Sequence, residues 1–381
     1  MWKPKEIIIH KSVEKDPITL HIIEQCKDVP IKYVADAKSE TIKKSSDIIS
    51  QASPPMINTI IAGKSVLFIG SPGNIIDKFT MPDDRMLCPH FDRLKLAYNG
   101  CFYQCDWCYL KLTCRAQHPF ITVKVGYDKI KEKLEKVLKA SKRPIFYNTG
   151  EFADSLAMEH LTKAAQEFIP WFGKTQNGYL FVLTKSDNVD DILNLPHNNH
   201  TVIAWSMNNE WVSRTFEIGA MPFERRLEAA RKVQQAKYPL RIRLDPIIPI
   251  DNWKEAYADT IAKIFKKVTP ERITLGTLRF EKSFFNSRES LFKTGQLLED
   301  MTKDMKAMFE PKEFEGKMKS GKYSFPEEQR VEIFSFAINE IKKYSDCKIA
   351  LCKESASVWD KVGLDYSKCS CVCQLDYADM S

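Results

Sequence analysis

The stretch YNGCFYQCDWCYL, residues 98–110, places Cys101, Cys105 and Cys108 in one short segment beside five aromatic side chains. Cysteine thiolates bind zinc or iron–sulfur clusters, and structural zinc normally takes four protein ligands. Three cysteines supply three corners of a four-iron cluster and leave one iron open, in the way that a catalytic metal keeps an open position. The spacing therefore favours a cluster that can bind a substrate or a cofactor.

Strand-like runs and helical patterns alternate around and after this segment. The helical patterns include YDKIKEKLEKVL (127–138) and PFERRLEAARKVQQA (222–236). The strand-like runs are LKLAYNG (94–100), PIFYNTG (144–150), GYLFVLTK (178–185), TVIAWSMN (201–208), LRIRLDPIIPI (240–250) and RITLGTLRF (272–280). This alternation predicts an α/β fold with a parallel sheet and covering helices. Six strands suit an incomplete (β/α)6 barrel, and ligands of such folds lie at the carboxyl ends of strands, where the cysteine segment begins.

The sequence divides into three predicted domains. Residues 1–85 contain the apolar runs EIIIH and SVLFIG and a helix opened by Asp16 and Pro17, which predict a small N-terminal α/β domain. Residues 86–285 are predicted to form the partial barrel. Residues 286–381 are charged and helical in pattern, and they are predicted to form a C-terminal extension with a cysteine-rich tail.

The composition of the chain indicates which broad class of protein it belongs to. Charged residues at 28% and hydrophobic residues at 44% of 381 describe a folded globular protein, and the N-terminus lacks an apolar signal-peptide core. We therefore expect a cytoplasmic protein without a membrane span. Its eleven cysteines are clustered, which favours metal binding or catalysis over disulfides. The net charge of +7 is compatible with a polyanionic partner but does not identify one.

The cysteine pattern C-x3-C-x-aromatic-C resembles the signature of radical S-adenosylmethionine (SAM) enzymes. Over roughly residues 90–270 the sequence also resembles the spore photoproduct lyase family, in segments that follow in the same order and at similar spacing. These segments are GCFYQCDWCYL, FVLTKSDNVDDILNL, WSMNNEWVSRTFEIGAMPFERRLEAARKVQQAKYPLRIRLDPIIPI and WKEAYADTIAKIF. The resemblance implies a [4Fe–4S] cluster on the three cysteines, SAM on the open iron, and reductive cleavage of SAM to a 5′-deoxyadenosyl radical. It further implies hydrogen-atom abstraction from a nucleobase-type substrate, in DNA or a related nucleotide, as in DNA repair.

The resemblance also implies which residues bind SAM. Trp107 fills the aromatic position where the family packs the adenine, and Glu151 ends a motif, Thr149-Gly150-Glu151, whose carboxylate accepts from the SAM ammonium. Lys185 and Ser206 end the next two strands, and in the family both face SAM. Each of Glu151, Lys185 and Ser206 could instead be a solvated loop residue.

Three further residues are candidates for the same site. Arg243 and Asp245 share one face of the fifth strand with Arg241, so they could clamp SAM or a substrate phosphate, or pair with one another. Tyr109 follows the last cluster cysteine, and the matching tyrosine of the family belongs to a radical relay. Tyr109 could equally be a packing residue of the loop.

The sequence departs from the family at the end of the second strand. The family has a cysteine there that returns a hydrogen atom to the substrate radical, whereas this chain has Glu151 or its neighbour. Cys352 is the candidate for a replacement donor from the tail. Alternatively, Cys352 with Cys369, Cys371 and Cys373 could hold a second metal centre, or the tail could have neither role.

Other classes of function stay open. A radical SAM enzyme acting on a small metabolite or a peptide is one alternative, because such a modification need not use the missing thiol. A non-catalytic metal-containing nucleic-acid-binding protein is another, and a zinc site with Cys114 or Cys88 as fourth ligand would suit it. The cluster chemistry calls for a reductant such as a flavodoxin or a ferredoxin, and the sequence does not predict an oligomeric state.

Overall fold

The computed structural model of the protein describes residues 1–52, 54–80, 86–88, 90–99, 101–113, 120–307, 322–368 and 371–375. The strands, numbered in chain order, are β1 (Glu6–His10), β2 (Ile31–Val34), β3 (Val66–Gly70), β4 (Ile76–Phe79), β5 (Phe91–Leu94), β6 (Ala97–Tyr98), β7 (Ile121–Lys124), β8 (Ile145–Asn148), β9 (Gly178–Thr184), β10 (Thr201–Met207), β11 (Leu240–Ile247), β12 (Arg272–Thr277), β13 (Arg279–Glu281), β14 (Lys306–Ala307), β15 (Lys322–Ser324) and β16 (Lys348–Leu351).

The α-helices, numbered in the same way, are α1 (Pro17–Gln25), α2 (Ala37–Gln51), α3 (Met56–Gly63), α4 (Leu110–Thr113), α5 (Tyr127–Ala140), α6 (Glu159–Thr162), α7 (Ala164–Phe172), α8 (Glu210–Phe216), α9 (Phe223–Gln235), α10 (Trp253–Lys267), α11 (Lys282–Asn286), α12 (Arg288–Leu291), α13 (Gly295–Thr302), α14 (Glu327–Lys342) and α15 (Ala356–Lys361). As predicted, α1 opens at Asp16, whose carboxylate accepts the amide of Ile18 at 2.9 Å.

The largest sheet confirms the predicted partial barrel. Its strand order is β16-β12-β11-β10-β9-β8-β5-β4, with β4 antiparallel to β5 and every other neighbouring pair parallel. The six strands from β5 through β12 in this sheet lie in chain order, as right-handed βαβ units place them. Among the described residues β16 and β4 form the two edges, so the barrel is open.

The prediction was wrong about the first strand of the barrel. That strand is β5, which ends at Leu94, whereas β6 pairs with β7 in a different sheet. The run LKLAYNG is divided between the two sheets, because the amide of Lys95 donates to Ile75 and the carbonyl of Leu96 accepts from Lys124, both at 2.8 Å. Alternating apolar residues cannot show which of two neighbouring sheets a strand joins.

The second sheet forms the core of the N-terminal region. Its order is β2-β1-β3-β7-β6, and it is parallel except for β6. Strand β4 lies before residue 85 but pairs in the barrel sheet, and β6 and β7 lie after residue 85 but pair in the N-terminal sheet. Strands thus pair across the predicted boundary at 85, and the division into domains stays a prediction.

The C-terminal region is mixed rather than purely helical. Strands β13, β15 and β14 form a small antiparallel sheet, and β16 pairs in parallel with β12 of the barrel. The residues Cys371–Cys373 are buried, so the tail belongs to the core of the molecule. No helix among the described residues is long and apolar enough to cross a membrane.

Candidate active site

A cavity of about 450 Å³ opens at the carboxyl ends of the barrel strands. It is lined by the cysteine segment and by the residues that follow β8, β9, β10, β11 and β12. The predicted site residues that line it are Cys101, Cys105, Cys108, Trp107, Tyr109, Glu151, Lys185, Ser206, Arg243 and Asp245. Tertiary structure therefore brings together the predicted cluster, SAM and relay residues, whereas Cys352, Cys371 and Cys373 do not line the cavity.

A buried ion pair holds the cysteine segment in place. Asp106 and Lys111 are fully buried, and their charged groups lie 3.3 Å apart. Asp106 also accepts the amides of Lys293 at 2.8 Å and Thr294 at 3.1 Å, just before α13. The segment between the second and third cysteines is thus fixed to the C-terminal region. Neither residue was predicted, because an Asp or Lys in a loop has no sequence signal for burial.

The donor atoms of the segment suit an iron–sulfur cluster. Burial raises the pKa of Cys101, and Cys101, Cys105 and Cys108 lie in one small packed cluster. Burial raises the pKa of Cys105 to about 12, so its thiolate needs a positive partner such as cluster iron. No set of three or more metal-binding side chains in the described ranges is arranged as a ready ion site. Three thiols on one cavity wall nevertheless fit a cluster with one open iron.

The alternative fourth zinc ligands receive no support from the structure. Cys114 lies outside the described residues. Burial raises the pKa of Cys88 to about 12, and the charged groups that act on it are Cys352, Lys353, Cys373 and Glu151 rather than the cysteine segment.

Lys185 belongs to a buried charge network at the end of β9. Its ammonium donates to the hydroxyl of Ser206 at 2.7 Å and lies 3.4 Å from the carboxylate of Glu217. Arg226 contacts Glu217 at 2.5 Å and donates to the carbonyl of Ser206 at 3.0 Å. Burial would raise the pKa of Glu217, but the charges of Arg226 and Lys185 lower it below its usual value. Glu217 and Arg226 thus orient the two predicted SAM contacts, and sequence reasoning missed them.

Asp154 organises the end of β8 and was also missed. One carboxylate oxygen accepts the amides of Leu156 at 3.0 Å and Ala157 at 2.9 Å and the hydroxyl of Thr184 at 2.7 Å. The other accepts the amide of Lys185 at 2.6 Å. Four donors on one carboxylate fix the ends of β8 and β9 relative to each other, and Asp154 itself lines the cavity.

Glu151 and Tyr109 meet across the cavity wall. The Tyr109 hydroxyl donates to the backbone carbonyl of Glu151 and lies 3.4 Å from its carboxylate. The Tyr109 side chain is 47% exposed, so it is a cavity group rather than a core residue. Gly150 precedes Glu151 at a close approach, since an added Cβ would lie 2.6 Å from the Cβ of Leu183. The glycine of the predicted Thr149-Gly150-Glu151 motif is therefore favoured for a steric reason, because a larger residue would collide with Leu183.

Arg243, Asp245 and Arg279 form one network on the opposite wall. Arg243 donates to Asp245 at 2.6 and 3.0 Å, and Arg279 does so at 3.1 and 3.2 Å. Burial would raise the pKa of Asp245, but the two guanidinium groups hold it well below its usual range. Arg243 and Asp245 were predicted either to clamp SAM or a substrate phosphate or to pair with one another, and the structure shows that they pair with one another. Arg279 was missed, because an arginine in a strand-like run has no sequence signal for its distant partner.

Cys352 lies behind this network instead of lining the cavity. Its sulfur accepts from Arg243 at 3.0 Å and from Arg279 at 3.1 Å, and the residue is 9% exposed. Its predicted role as a hydrogen-atom donor is not tested by this arrangement and stays a prediction.

The described part of the cysteine tail, residues 371–375, packs against strands of the barrel sheet. Arg241 donates to the carbonyls of Val372 at 2.8 Å and Gln374 at 2.5 Å, and Arg272 donates to that of Cys371 at 3.1 Å. The amide of Asn148 contacts the sulfur of Cys373 at 3.8 Å. Cys369, the remaining member of the predicted second metal centre, lies outside the described residues, so that centre stays a prediction.

Comparisons with known proteins agree with this geometry. A family model described as spore photoproduct lyase matches residues 93–351, from within β5 to the end of β16. A spore photoproduct lyase of Bacillus subtilis (strain 168) is 33% identical over 168 residues, which are 44% of this chain and 48% of that protein. A spore photoproduct lyase of Clostridium acetobutylicum is 23% identical over 346 residues, 89% of this chain and 96% of that protein. The matched part thus spans about half of the Bacillus relative and nearly all of the clostridial one.

Solved structures share the fold. A spore photoproduct lyase complexed with dinucleoside spore photoproduct superposes with a TM-score of 0.75 at 22% identity, covering 92% of this chain and 99% of that one. A mutant of spore photoproduct lyase with bound AdoMet (that is, SAM) and dinucleoside spore photoproduct has a TM-score of 0.74 at 22% identity, covering 92% and 98%. Because the family model spans most of the barrel and the cysteine segment, this protein belongs to the spore photoproduct lyase family of the radical SAM superfamily.

Proposed function

We propose that this protein is a radical SAM lyase that abstracts a hydrogen atom from a nucleobase-type substrate, in DNA or a related nucleotide. The observation that carries the proposal is the single cavity shared by the three thiols, Glu151, Lys185 and Ser206. A [4Fe–4S] cluster on Cys101, Cys105 and Cys108, with SAM on its open iron, would supply a 5′-deoxyadenosyl radical. Family membership supports the lyase class of the reaction.

The residues near the cysteine segment are proposed to hold SAM. The Glu151 carboxylate suits the SAM ammonium, the Lys185 ammonium suits its carboxylate, and the Ser206 hydroxyl suits its ribose, since each pair is complementary in charge or hydrogen bonding. Trp107 lines the same wall, and its ring lies 5.8 Å from that of Phe216. We propose that Trp107 covers the adenine. Arg243 and Asp245 complete the opposite wall as a neutral pair with Arg279 beside it.

Relatives and the rings of the cavity support the substrate class. Solved relatives hold dinucleoside spore photoproduct. Here the cavity is also lined by Phe79, Phe152, Phe280 and Phe284, whose apolar surface suits nucleobases. We propose a thymine-type photodimer as the substrate, with DNA repair as the reaction's context.

The return of a hydrogen atom is assigned to Tyr109. Tyr109, predicted as a member of a radical relay, lines the cavity, whereas the sulfur of Cys352, the predicted donor, lies behind the guanidinium groups of Arg243 and Arg279. We propose that the Tyr109 O–H bond breaks, a substrate C–H bond forms, and the remaining phenoxyl radical takes one electron and one proton back. A flavodoxin or ferredoxin would supply that electron, as well as the one that reduces the cluster. Cys352 is proposed as a second donor behind Tyr109.

The experiment begins with anaerobic reconstitution of the protein with iron and sulfide. With dithionite and SAM the protein should release 5′-deoxyadenosine, and C105A should not. Addition of a dinucleotide spore photoproduct should yield the repaired dinucleotide. An intact cluster that does not cleave SAM would contradict the reaction class. SAM cleavage without conversion of the dinucleotide would instead contradict the substrate and favour a small metabolite or peptide.

Two further features belong to this proposal. Reducing conditions suit such a cluster, which supports the cytoplasmic location expected from the sequence. A second metal centre at the tail cysteines would raise the iron content above four per chain, and iron analysis of C101A/C105A/C108A would detect it.

A further inference from the structure

The cavity has two chemically different sides. The side around the cysteine segment carries the groups proposed to hold SAM. The other side combines rings with cations, and its members are Phe79, Phe152, Phe280, Phe284, Arg93, Lys322 and Lys353. The proposed function uses the rings of this second side but assigns no role to its cations.

Lys322 and Lys353 both line this part of the cavity, and only Lys322 has a described carboxylate partner. Lys322 and Glu281 are directly opposite each other on β15 and β13, and their charged groups lie 2.7 Å apart. Lys353 lines the same cavity, and burial and then the charge of Lys353 lower the pKa of Lys322. Among the described residues Glu281 pairs with Lys322, so the positive charge of Lys353 is the one that a bound anion would offset.

Lys353 is held in position by its buried neighbours. The amide of Cys352 donates to Leu275 at 2.7 Å, and the carbonyl of Glu354 accepts from Leu87 at 2.8 Å. Between these two anchors Lys353 has a φ of +54°, a left-handed conformation that is unfavourable for a lysine. The side chain is thereby directed over the ring of Phe79, with its ammonium 5.0 Å from the ring centroid. Its described contact is thus a ring rather than a carboxylate.

Arg93 flanks the same rings from the neighbouring strand. Its guanidinium lies 5.6 Å from the centroid of Phe79 and 4.8 Å from that of Phe152. Asp77 accepts from Arg93 at 2.7 Å and from Lys95 at 2.9 Å, so Arg93 already has a carboxylate partner. Rings beside cations are the combination by which proteins bind nucleic-acid strands, because bases stack and phosphates pair with positive charge.

We infer that Lys322 and Lys353 form a subsite for the phosphodiester group of a dinucleotide substrate, next to the rings that receive its bases. This inference rests on the proposed function and deepens it, since the solved relatives are described with a dinucleoside and leave the phosphate without an assigned contact. One phosphodiester carries one negative charge, which would offset the positive charge of Lys353, whose described contact is the Phe79 ring. The same subsite explains why a strained lysine is kept at the cavity rim.

The experiment compares two probes on the reconstituted protein with SAM and without reductant. One probe is the spore photoproduct of thymidylyl-thymidine, which has the phosphodiester, and the other is the dinucleoside spore photoproduct, which lacks it. K353M and K322M remove each charge and keep the side-chain length, K353R keeps the charge, and K139M is the matched control. Lys139 pairs with Glu135 on the exposed face of α5 and does not line the cavity.

The expected result is a selective loss. K353M and K322M should each weaken binding of the phosphodiester probe roughly tenfold, because a charge-assisted contact is lost, and should leave the dinucleoside unchanged. K353R and K139M should behave as the wild type. Equal effects of K353M on both probes, or no effect on either, would overturn the subsite. Failure of the wild type to bind either probe while it still cleaves SAM would overturn the proposed substrate, and the subsite with it.

Discussion

Gly276→Ala tests the network on the cavity wall. Gly276 lies on β12, and a Cβ added there would be 2.2 Å from a carboxylate oxygen of Asp245 and 2.5 Å from its Cγ. It would also lie 3.0 Å from a guanidinium nitrogen of Arg279. Real Cβ atoms do not approach other atoms so closely, so Asp245 must leave its position between Arg243 and Arg279.

The cost of that movement follows from the contacts it removes. The side chains of Asp245, Arg279 and Arg243 are 9%, 13% and 15% exposed, so the network is largely shielded from water. Separating a buried carboxylate from its guanidinium partners costs about 3–5 kcal/mol. Alanine in a strand recovers about 0.5–1 kcal/mol relative to glycine. We therefore expect G276A to lower the free energy of unfolding by about 3 kcal/mol, roughly a hundredfold in the folding equilibrium.

The assay is urea unfolding of the cluster-free protein, followed by tryptophan fluorescence. Gly295→Ala is the matched control, because nothing lies within 4 Å of a Cβ added at that position, the first residue of α13. We expect G295A to stay within about 0.5 kcal/mol of the wild type. A G276A protein as stable as G295A would refute the reasoning, since Asp245 would then not depend on the space beside Gly276.

Three other predictions concern the site and its supports. In the wild type the Lys185 amide lies 2.6 Å from the Asp154 carboxylate, and D154N should place an amide donor against it. We expect D154N to weaken SAM binding roughly tenfold in calorimetry. The control D128N, on the exposed face of α5, should bind SAM as the wild type does. D106A should leave the buried Lys111 ammonium without a counter-charge and cost about 3–5 kcal/mol in thermal or urea unfolding; a loss below 1 kcal/mol would contradict the buried pair. Burial raises the pKa of Glu159 from 4.5 to about 7, so its contribution to stability is fully present below pH 4.5 and is lost as the pH rises through about 7. The wild type should thus lose up to about 3 kcal/mol across this range relative to E159Q, and parallel pH profiles of the two proteins would contradict the shift.

Local sequence patterns determined the elements of the barrel. The runs from PIFYNTG to RITLGTLRF became β8 through β13, because apolar and β-branched residues fit a buried parallel sheet. The helix opened by Asp16 and Pro17 formed as predicted, since a cap acts within one turn. The cysteine spacing identified a cluster segment, and strand ends at Glu151, Lys185 and Ser206 met at one edge because parallel strands end together.

Only tertiary structure could decide which residues support that edge. Asp154, Glu217 and Arg226 have no periodic or motif signal, and their roles depend on contacts between elements far apart in the chain.

The C-terminal tail is the clearest case in which local sequence patterns did not predict the tertiary contacts. Cys371–Cys373 were predicted to belong to a cysteine-rich tail, yet the segment is buried against the barrel sheet, where Arg241 and Arg272 donate to its carbonyls. The sequence shows which polar and charged groups would need partners if they were buried. Non-local packing supplies those partners, so the buried charges could be identified only from the tertiary structure.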